Sequence, residues 1–554
     1  MHAEARRRFG PRNNAQTAVC LVLLLVVPVP IVSAADAESP PASPEPVPAP
    51  AAAGISDLPS AVCPHMAPVV QVPTLSQGPS VAKLETPQPS PVDRPLPINL
   101  ATALRLSDSR PLVIAAAEVG VQIASARLDR ARLLWIPSLN LGTYYYRHDG
   151  GAAVTSSGEL AIRSRQEFLA GAGVTAVFAA SDALYEPLAA RQLLLASENS
   201  VQTARNDSLL AVAEAYFTVQ QKRGVYAGTL DSVAKARDLV ARVAALGQGL
   251  VPPIETARAR TQLAEFEQAL ALAIQDWHIA SANLTRLLRL DPAAVVMPLE
   301  PDHLQVTLIS GEQPLDGLIS IGLTHRPELA SQQALVQATI TRLRQEQVRP
   351  LVPSLLLTGN GTPADLFNGG IFAASPNDSL NQWASRSDFS AQVVWQWENF
   401  GLGNRARVRE RDAQRQLAVV DLLGIQDRVA AEVAQAHAQV VAAQNRVGKS
   451  ETALTEAAVS YVGNLKGLSE TIRFGDLLQL VNRPQEVGSA LYQLQQAYSS
   501  YFIAVADYNR AQFRLFYALG CPSQIIACER PPGEIMPLDT TRPSFLGSVG
   551  DSAP

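Results

Sequence analysis

Apolar positions along this chain repeat with two different periods. Leu422, Ile425, Val429, Val433, Ala436, Val440 and Val447 recur at spacings of three, four or seven. That is the apolar stripe of a helix packed in coiled-coil fashion. Just upstream the period falls to two. Phe389, Ala391, Val393, Trp395 and Trp397 alternate with Ser390, Gln392, Val394, Gln396 and Glu398. A strand with one apolar and one mostly polar face follows, of the kind that lines a transmembrane barrel with aromatics at an interface. A half-buried strand of a soluble sheet has the same pattern. A second two-residue alternation sets Leu139, Leu141, Thr143 and Tyr145 against Ser138, Asn140, Gly142 and Tyr144.

The two periods are laid out twice. Residues 110–141 align without a gap on 326–357, with Arg110-Pro111 on Arg326-Pro327 and Trp135–Leu139 on Leu351–Leu355. Each copy is a helix that runs into a Pro-Ser-Leu strand start. The first copy, 98–313, predicts strands near 137–147 and 168–179, a polar loop near 149–166, and a helical hairpin near 187–290 opened by Pro187. The second, 314–520, predicts strands near 352–361 and 388–398, a long polar loop over 362–387, and a helical hairpin near 404–519. A repeat of this size suggests two units that complete one wall. The helix before each strand plus the returning helix roughly equals the long helix, at about 1.5 Å per residue, so the short ones can stack along it.

Four strands are too few to close. An open edge in lipid leaves unpaired backbone groups, so a membrane sheet must become a barrel. Small closed barrels use about eight strands. Several chains must therefore contribute; the strand count alone does not say how many.

Composition agrees with long packed helices rather than a compact globule. Only 17% of residues are charged, against about a quarter in ordinary soluble domains. Net charge is −5, which gives no reason to expect nucleic acid. Arg6–Arg8, the apolar stretch 19–32 and Ser33-Ala34-Ala35 read as an export signal over 1–35. No apolar run of about 18 residues follows it, so no membrane-spanning helix is predicted. Residues 36–97 hold 16 prolines, a composition that cannot bury a core and predicts an extended, disordered tail. The C-terminal tail is 521–554. Cys521 and Cys528 could pair there in an oxidising compartment, or stay as two free thiols. The histidines are scattered, and no metalloprotease, phosphate-loop or nucleophile-elbow motif occurs. No catalytic, cofactor or metal residue is predicted.

The order of helix, strand hairpin and long helical hairpin, repeated once, resembles the TolC-like outer-membrane efflux proteins. INLATALRLSDSRP resembles their opening helix and turn, and AVADYNRAQFRLFYALG their last helix. The resemblance covers 98–520. It implies a mainly α fold with a small transmembrane β part: a homotrimer with a twelve-stranded barrel in the outer membrane, continued by a helical barrel in the periplasm. It further implies a passive channel of a tripartite efflux or type I secretion system, opened when a periplasmic adaptor and an inner-membrane pump dock. The alternative on the residues alone is a periplasmic coiled-coil adaptor or scaffold.

The same resemblance directs attention to the helix tips. Gly249 and Glu255 match the family's glycine and the acid that starts the returning helix. In the second copy Glu486 takes the acidic position, Leu480 stands where the glycine would be, and Ser489 where some members carry a second acid. Gly475-Asp476 could supply turn and charge instead. Glu255, Asp476 and Glu486 are thus the pore-lining candidates, and Glu486 the strongest. Its plain alternative is a glutamate that only suits its helix dipole. Trp395 and Trp397 are the lipid-facing candidates. Arg407, Arg411 and Arg415 read as a solvated face paired with Glu410 and Asp412, with anionic headgroups as the other possibility.

Overall fold

The computed structural model describes residues 84, 87–91, 93–109, 111–153, 160–246, 251–358, 369–375, 380, 382–387, 390–474 and 477–520. Gly249, Gly475, Asp476, Cys521 and Cys528 lie outside the described residues.

The chain starts with strand β1 (Arg94–Ile98), a few residues upstream of Ile98, where order was expected to begin. Helix α1 (Leu100–Ser109) and helix α2 (Leu112–Arg132) follow, broken at Pro111. Over 18 residues this stretch is apolar enough to match a membrane span, unlike the expectation. It is nonetheless two helices. Ile114, Ala124, Leu128 and Ala131 of α2 are buried, and α2 packs along the next long helix.

Strands β2 (Ser138–Ala153) and β3 (Leu160–Ala179) form an antiparallel hairpin. Both exceed their predicted lengths, and much of the expected loop 149–166 is strand. Pairing continues unbroken from Ser138↔Thr175 to Ala153↔Leu160. The backbone ladder does not need the apolar alternation that revealed the strands, so a polar stretch can pair unseen. Helix α3 (Ala180–Leu246) runs straight on, with Pro187 inside it rather than at its start. At about 1.5 Å per residue its 67 residues span roughly 100 Å. Helix α4 (Pro253–Leu288) returns, and β4 (Ala294–Pro298) pairs in parallel with β1.

After α5 (Leu315–His325) and α6 (Pro327–Val348) come β5 (Ser354–Thr358), β6 (Gly369–Ser375), β7 (Gln382–Ser387) and β8 (Ser390–Val394). The expected loop 362–387 therefore holds two strands, and the strand expected to reach 398 ends at 394. Helix α7 (Leu402–Ser469) leads to a small hairpin, β9 (Thr471–Phe474) and β10 (Leu477–Leu480), and α8 (Pro484–Ala518) ends the described chain.

Six strand segments make only four lines. β3 pairs with β2 on one side. On its other side β5 lies against 176–179 and β6 against 166–172, both antiparallel, so β5 and β6 continue one line. β8 pairs with β5 and β7 with β6, making the fourth.

The long helix α3 packs against α2, α4, α6 and α8. Gly224 and Gly228 make the α8 contact possible: a Cβ on Gly228 would lie 2.7 Å from Cβ of Tyr498, and one on Gly224 would strike the ring of Phe502. In α7 the stripe residues Val433, Ala436, Val440 and Val447 are buried in one core with Leu491, Leu494 and Val505 of α8, and Val429 is buried as well. A second core gathers Trp277, Tyr216, Phe217, Phe513 and Leu104.

The Tyr-Asn-x-Ala-Gln stretch of α8 has a physical role here. Asn509 accepts from the Val306 amide (2.8 Å) and donates to the Leu304 carbonyl (2.7 Å). Gln512 accepts from the amides of Leu308 (3.1 Å) and Ile309 (3.0 Å), and Tyr508 bonds Thr307 (2.6 Å). Three side chains thereby satisfy an extended connector that has no ladder partner of its own. On α3, Arg223 does similar work. It donates to Asp302 at 2.7 Å and to the carbonyl of Glu300 at 3.0 Å. Burial pushes the Asp302 carboxyl up to about 6, against the pull of Arg223.

Candidate functional site: the helix tips and the sheet

Each helical hairpin turns at the end away from the sheet, because α3 and α7 both start where a strand ends. The returning helices α4 and α8 open alike. Pro253-Ile-Glu255 and Pro484-Gln-Glu486 put proline in the first turn, where its missing N–H costs nothing, and an acid at the positive end of the dipole. Neither helix has a side-chain cap. The Glu255 amide bonds the Pro252 carbonyl and the Glu486 amide the Arg483 carbonyl, both at 3.0 Å.

The two helices meet just inside their starts. Gln262 of α4 donates to the Gly488 carbonyl of α8 at 2.6 Å. Gly488 leaves room for that contact: a Cβ there would lie 2.5 Å from the Gln262 amide oxygen and would make the glutamine side chain shift. A cleft of about 540 Å³ lies beside this contact, lined among others by Glu255, Arg258, Glu265, Gln485 and Ser489.

The two acids differ within this common frame. Glu255 is held by Arg258 at 2.6 Å, and its side chain is 14% exposed. Glu486 is exposed, and no ion pair reaches it among the described residues. Its backbone carbonyl accepts from the Ser489 hydroxyl at 2.9 Å. The tip turns differ as well. The α7–α8 turn carries the β9–β10 hairpin, closed by Val481 N–H to Glu470 O at 3.0 Å and by Asn482 donating to Asn464 at 3.0 Å. Gln262 and Gly488 carried no sequence signal: they are 226 residues apart and belong to no motif.

The sheet at the other end sorts its side chains by face. Register puts Tyr145, Phe168, Ala373 and Trp383 in one row, with Phe168 and Trp383 edge to face at 5.9 Å. Leu139, Leu141, Ala170, Ala172, Ile371, Leu357 and Ala391 follow on that face, down to the row Phe178–Leu355–Val393. Trp395 and Trp397 lie just beyond, both exposed, with the Trp397 indole donating to the Pro350 carbonyl at 3.1 Å. The opposite face carries Asn140, Glu167, Gln382 and Gln392 among some apolar residues. Leu139, Leu141, Ile371, Trp383 and Val393 are exposed, so much of that apolar face stays open within this chain, although Ala373 is buried. The outer edges of β2 and of the β7/β8 line have no partner among the described residues.

By sequence, no family model and no curated protein matches the chain. Solved structures do. The outer-membrane channel OprN superposes with a TM-score of 0.61 at 15% identity, over 77% of this chain and 90% of that one. VceC from Vibrio cholerae gives 0.59 at 16%, over 76% and 96%. The open state of the MtrE channel from Neisseria gonorrhoeae gives 0.59 at 14%, over 76% and 89%. The chain has the TolC-like outer-membrane channel fold. At these identities the likeness is one of fold. Within this fold the exposed apolar sheet face and the helix tips are the two surfaces left unexplained by packing inside one chain.

Proposed function

We propose that the protein is an outer-membrane channel-tunnel, a passive export duct of a tripartite efflux or type I secretion system. The observation that carries this reading is the sheet: four lines wide, with two unpaired edges and an exposed apolar face. From the Phe168 row to the Phe178 row is ten residues of β3. At about 3.3 Å per residue and a tilt of 35–45° that is about 25 Å of height, the apolar band of a membrane barrel. Tyr145, Phe168 and Trp383 edge the band on one side, and Trp395 and Trp397 on the other, as interfacial aromatics do. A periplasmic adaptor has no use for such a band, which favours the channel.

Closure needs further copies, since open edges are costly in lipid. A homotrimer would supply twelve lines and a helical barrel from the duplicated hairpins. An adaptor and an inner-membrane pump would dock at the tips, around the turns that hold Gly249 and Gly475. No bond is broken in such transport. Glu486, exposed and unpaired, is the residue we assign to the pore constriction, where three copies would favour cations. Glu255 and Asp476 are lesser contributors, and a Cys521–Cys528 bridge would only tie down the C-terminal tail.

The test is electron microscopy of protein extracted in detergent from the outer-membrane fraction. Threefold end views and tubes at least as long as α3, about 100 Å, are expected. Monomers in the soluble fraction would defeat the channel reading and favour the adaptor.

A further inference from the structure

Every helix that leaves the sheet exposes an arginine without a partner among the described residues, in two tiers. Arg130 lies level with Arg191, since Leu128 and Ala131 pack on Ala190, and Arg344 lies nearer the sheet, since its neighbour Gln345 reaches Asp182. Arg130 of α2 lies eight residues before Ser138, and Arg344 of α6 ten before Ser354. Arg191 of α3 lies twelve after Ala179, and Arg405 of α7 eleven after Val394. All four are exposed, and none makes a hydrogen bond or ion pair among the described residues. Arg409, one turn beyond Arg405, is exposed and unpaired too.

The neighbouring charges are sorted differently. Asp182 and Glu346 are held by Arg349, at 2.6 and 3.2 Å, and Gln345 donates to Asp182 at 2.9 Å. Arg407 is occupied by Glu398 at 2.6 Å, Arg411 by Gln414 at 2.9 Å and Arg415 by Asp412 at 2.8 Å. Those three are paired, Arg415 with Asp412 as expected but Arg407 and Arg411 with Glu398 and Gln414 rather than with Glu410, and the free cations are others. Two exposed acids adjoin them and are themselves engaged: Asp129 beside Arg130 with Arg132 at 3.3 Å, and Glu410 beside Arg409 with Gln414.

Between the sheet and these arginines each junction shows bare apolar side chains. They are Leu133, Trp135 and Ile136 on the first, Leu184 and Leu188 on the second, Leu351 on the third, and Phe400 and Leu402 on the fourth. Phe400 is fully exposed and stands at φ 56°, between Asn399 at 48° and Gly401 at 88°. A bulky residue rarely adopts that backbone, and here it turns the ring out to solvent. An apolar zone followed by cations one to three turns on is the order of a membrane interface: acyl chains, aromatic belt, then headgroups.

We propose that Arg130, Arg191, Arg344 and Arg405 form a belt that binds the phosphates of anionic phospholipid on the helix side of the membrane. The inference rests on the channel reading. At about 1.5 Å per residue Arg191 lies roughly 18 Å down α3 from the end of β3, within reach of headgroups for a side chain that extends back toward the bilayer. The committed occupant is a lipid. Carboxylates of a second copy, or of the cell-wall polymer, are what the test must separate from it.

The full chain is purified into nanodiscs that contain phosphatidylglycerol and phosphatidylethanolamine in equal amounts, and the lipids retained on release are counted by native mass spectrometry. Enrichment of phosphatidylglycerol by about fivefold is expected, the ratio that one basic side chain confers at an anionic surface. The variant R130Q/R191Q/R344Q/R405Q should bring the ratio close to one while its oligomer and conductance persist. Inorganic phosphate at 10 mM, roughly the strength of a dilute buffer, should leave the wild-type enrichment in place if lipid is the ligand. Equal lipid ratios in wild type and variant would overturn the belt. So would dissociation of the variant oligomer with no change in lipid ratio, which would assign the arginines to a second copy, or co-purified cell-wall fragments in place of lipid. If the variant does not fold, the wild-type ratio at low and high salt decides: no enrichment at low salt removes the proposal. A wild-type chain that inserts into no bilayer refutes the channel reading itself. One that inserts and conducts without lipid preference refutes only the belt.

Discussion

The two helix tips are built on one plan and end in opposite electrostatic states. Both returning helices begin Pro-x-Glu. Three residues on, the first has Arg258 and the second Ser489. Arg258 folds back on Glu255, whereas nothing folds back on Glu486. The next difference is burial: Val487 is wholly buried, and Thr256 in the matching place is only half so. The second tip is therefore anchored by packing and leaves its acid free. The first is looser and neutralises its acid locally. A helix start can serve its own dipole or present charge to a lumen, and a single residue one turn away decides which.

Burial predicts the largest contrast. Val487→Asp would bury an unpaired carboxylate and should cost about 3–5 kcal/mol, lowering the thermal midpoint by many degrees. Thr256→Asp, at the looser tip, should stay within about 0.5 kcal/mol. Calorimetry of the two purified variants checks this, and equal losses would mean that the tips are packed alike.

Charge predicts the next. Glu486→Gln should reduce block by multivalent cations in planar bilayers by about tenfold, the equivalent of about 1.4 kcal/mol. Glu255→Gln should change it less than twofold, because Arg258 already cancels that carboxylate. If the two variants behave alike, the pore assignment of Glu486 is wrong. Ser489→Arg is the sharper form of the same test. It gives Glu486 the partner that Glu255 has, and should weaken block by about threefold without removing the acid, an effect smaller than full neutralisation.

These tips also mark what was readable beforehand. Pro253, Pro327 and Pro484 are strong start signals, since proline suits a first turn and little else in a helix. The periods of two and 3.6 separated strand from helix wherever one face was apolar. They failed where the alternation lasts only four to seven residues: β6 and β7 lie in a mostly polar segment read as loop, and β9–β10 in one read as a turn. Pro187 misled for a related reason. A proline is tolerated eight residues into α3, so a start signal was read two turns late. The Gln262–Gly488 contact was beyond reach, because only the tertiary fold brings 262 to 488. The unpaired state of Glu486 was equally hidden, since pairing depends on which way Arg258 and its absent counterpart turn.

Arg258→Ser is the smallest change and completes the comparison from the other side. It makes the first tip resemble the second. The ion pair is an i,i+3 contact with a half-exposed guanidinium, so its loss should cost only about 0.3–0.5 kcal/mol. The functional effect should have the opposite sign to that of Glu486→Gln: a released Glu255 adds a carboxylate to the same end of the helical wall, and multivalent-cation block should strengthen slightly. High salt should erase most of that gain, because a newly exposed carboxylate is screened within a Debye length. A gain that persists at high salt would instead mean that Arg258 restrains the turn mechanically. The difference between the tips would then lie in backbone freedom rather than in charge.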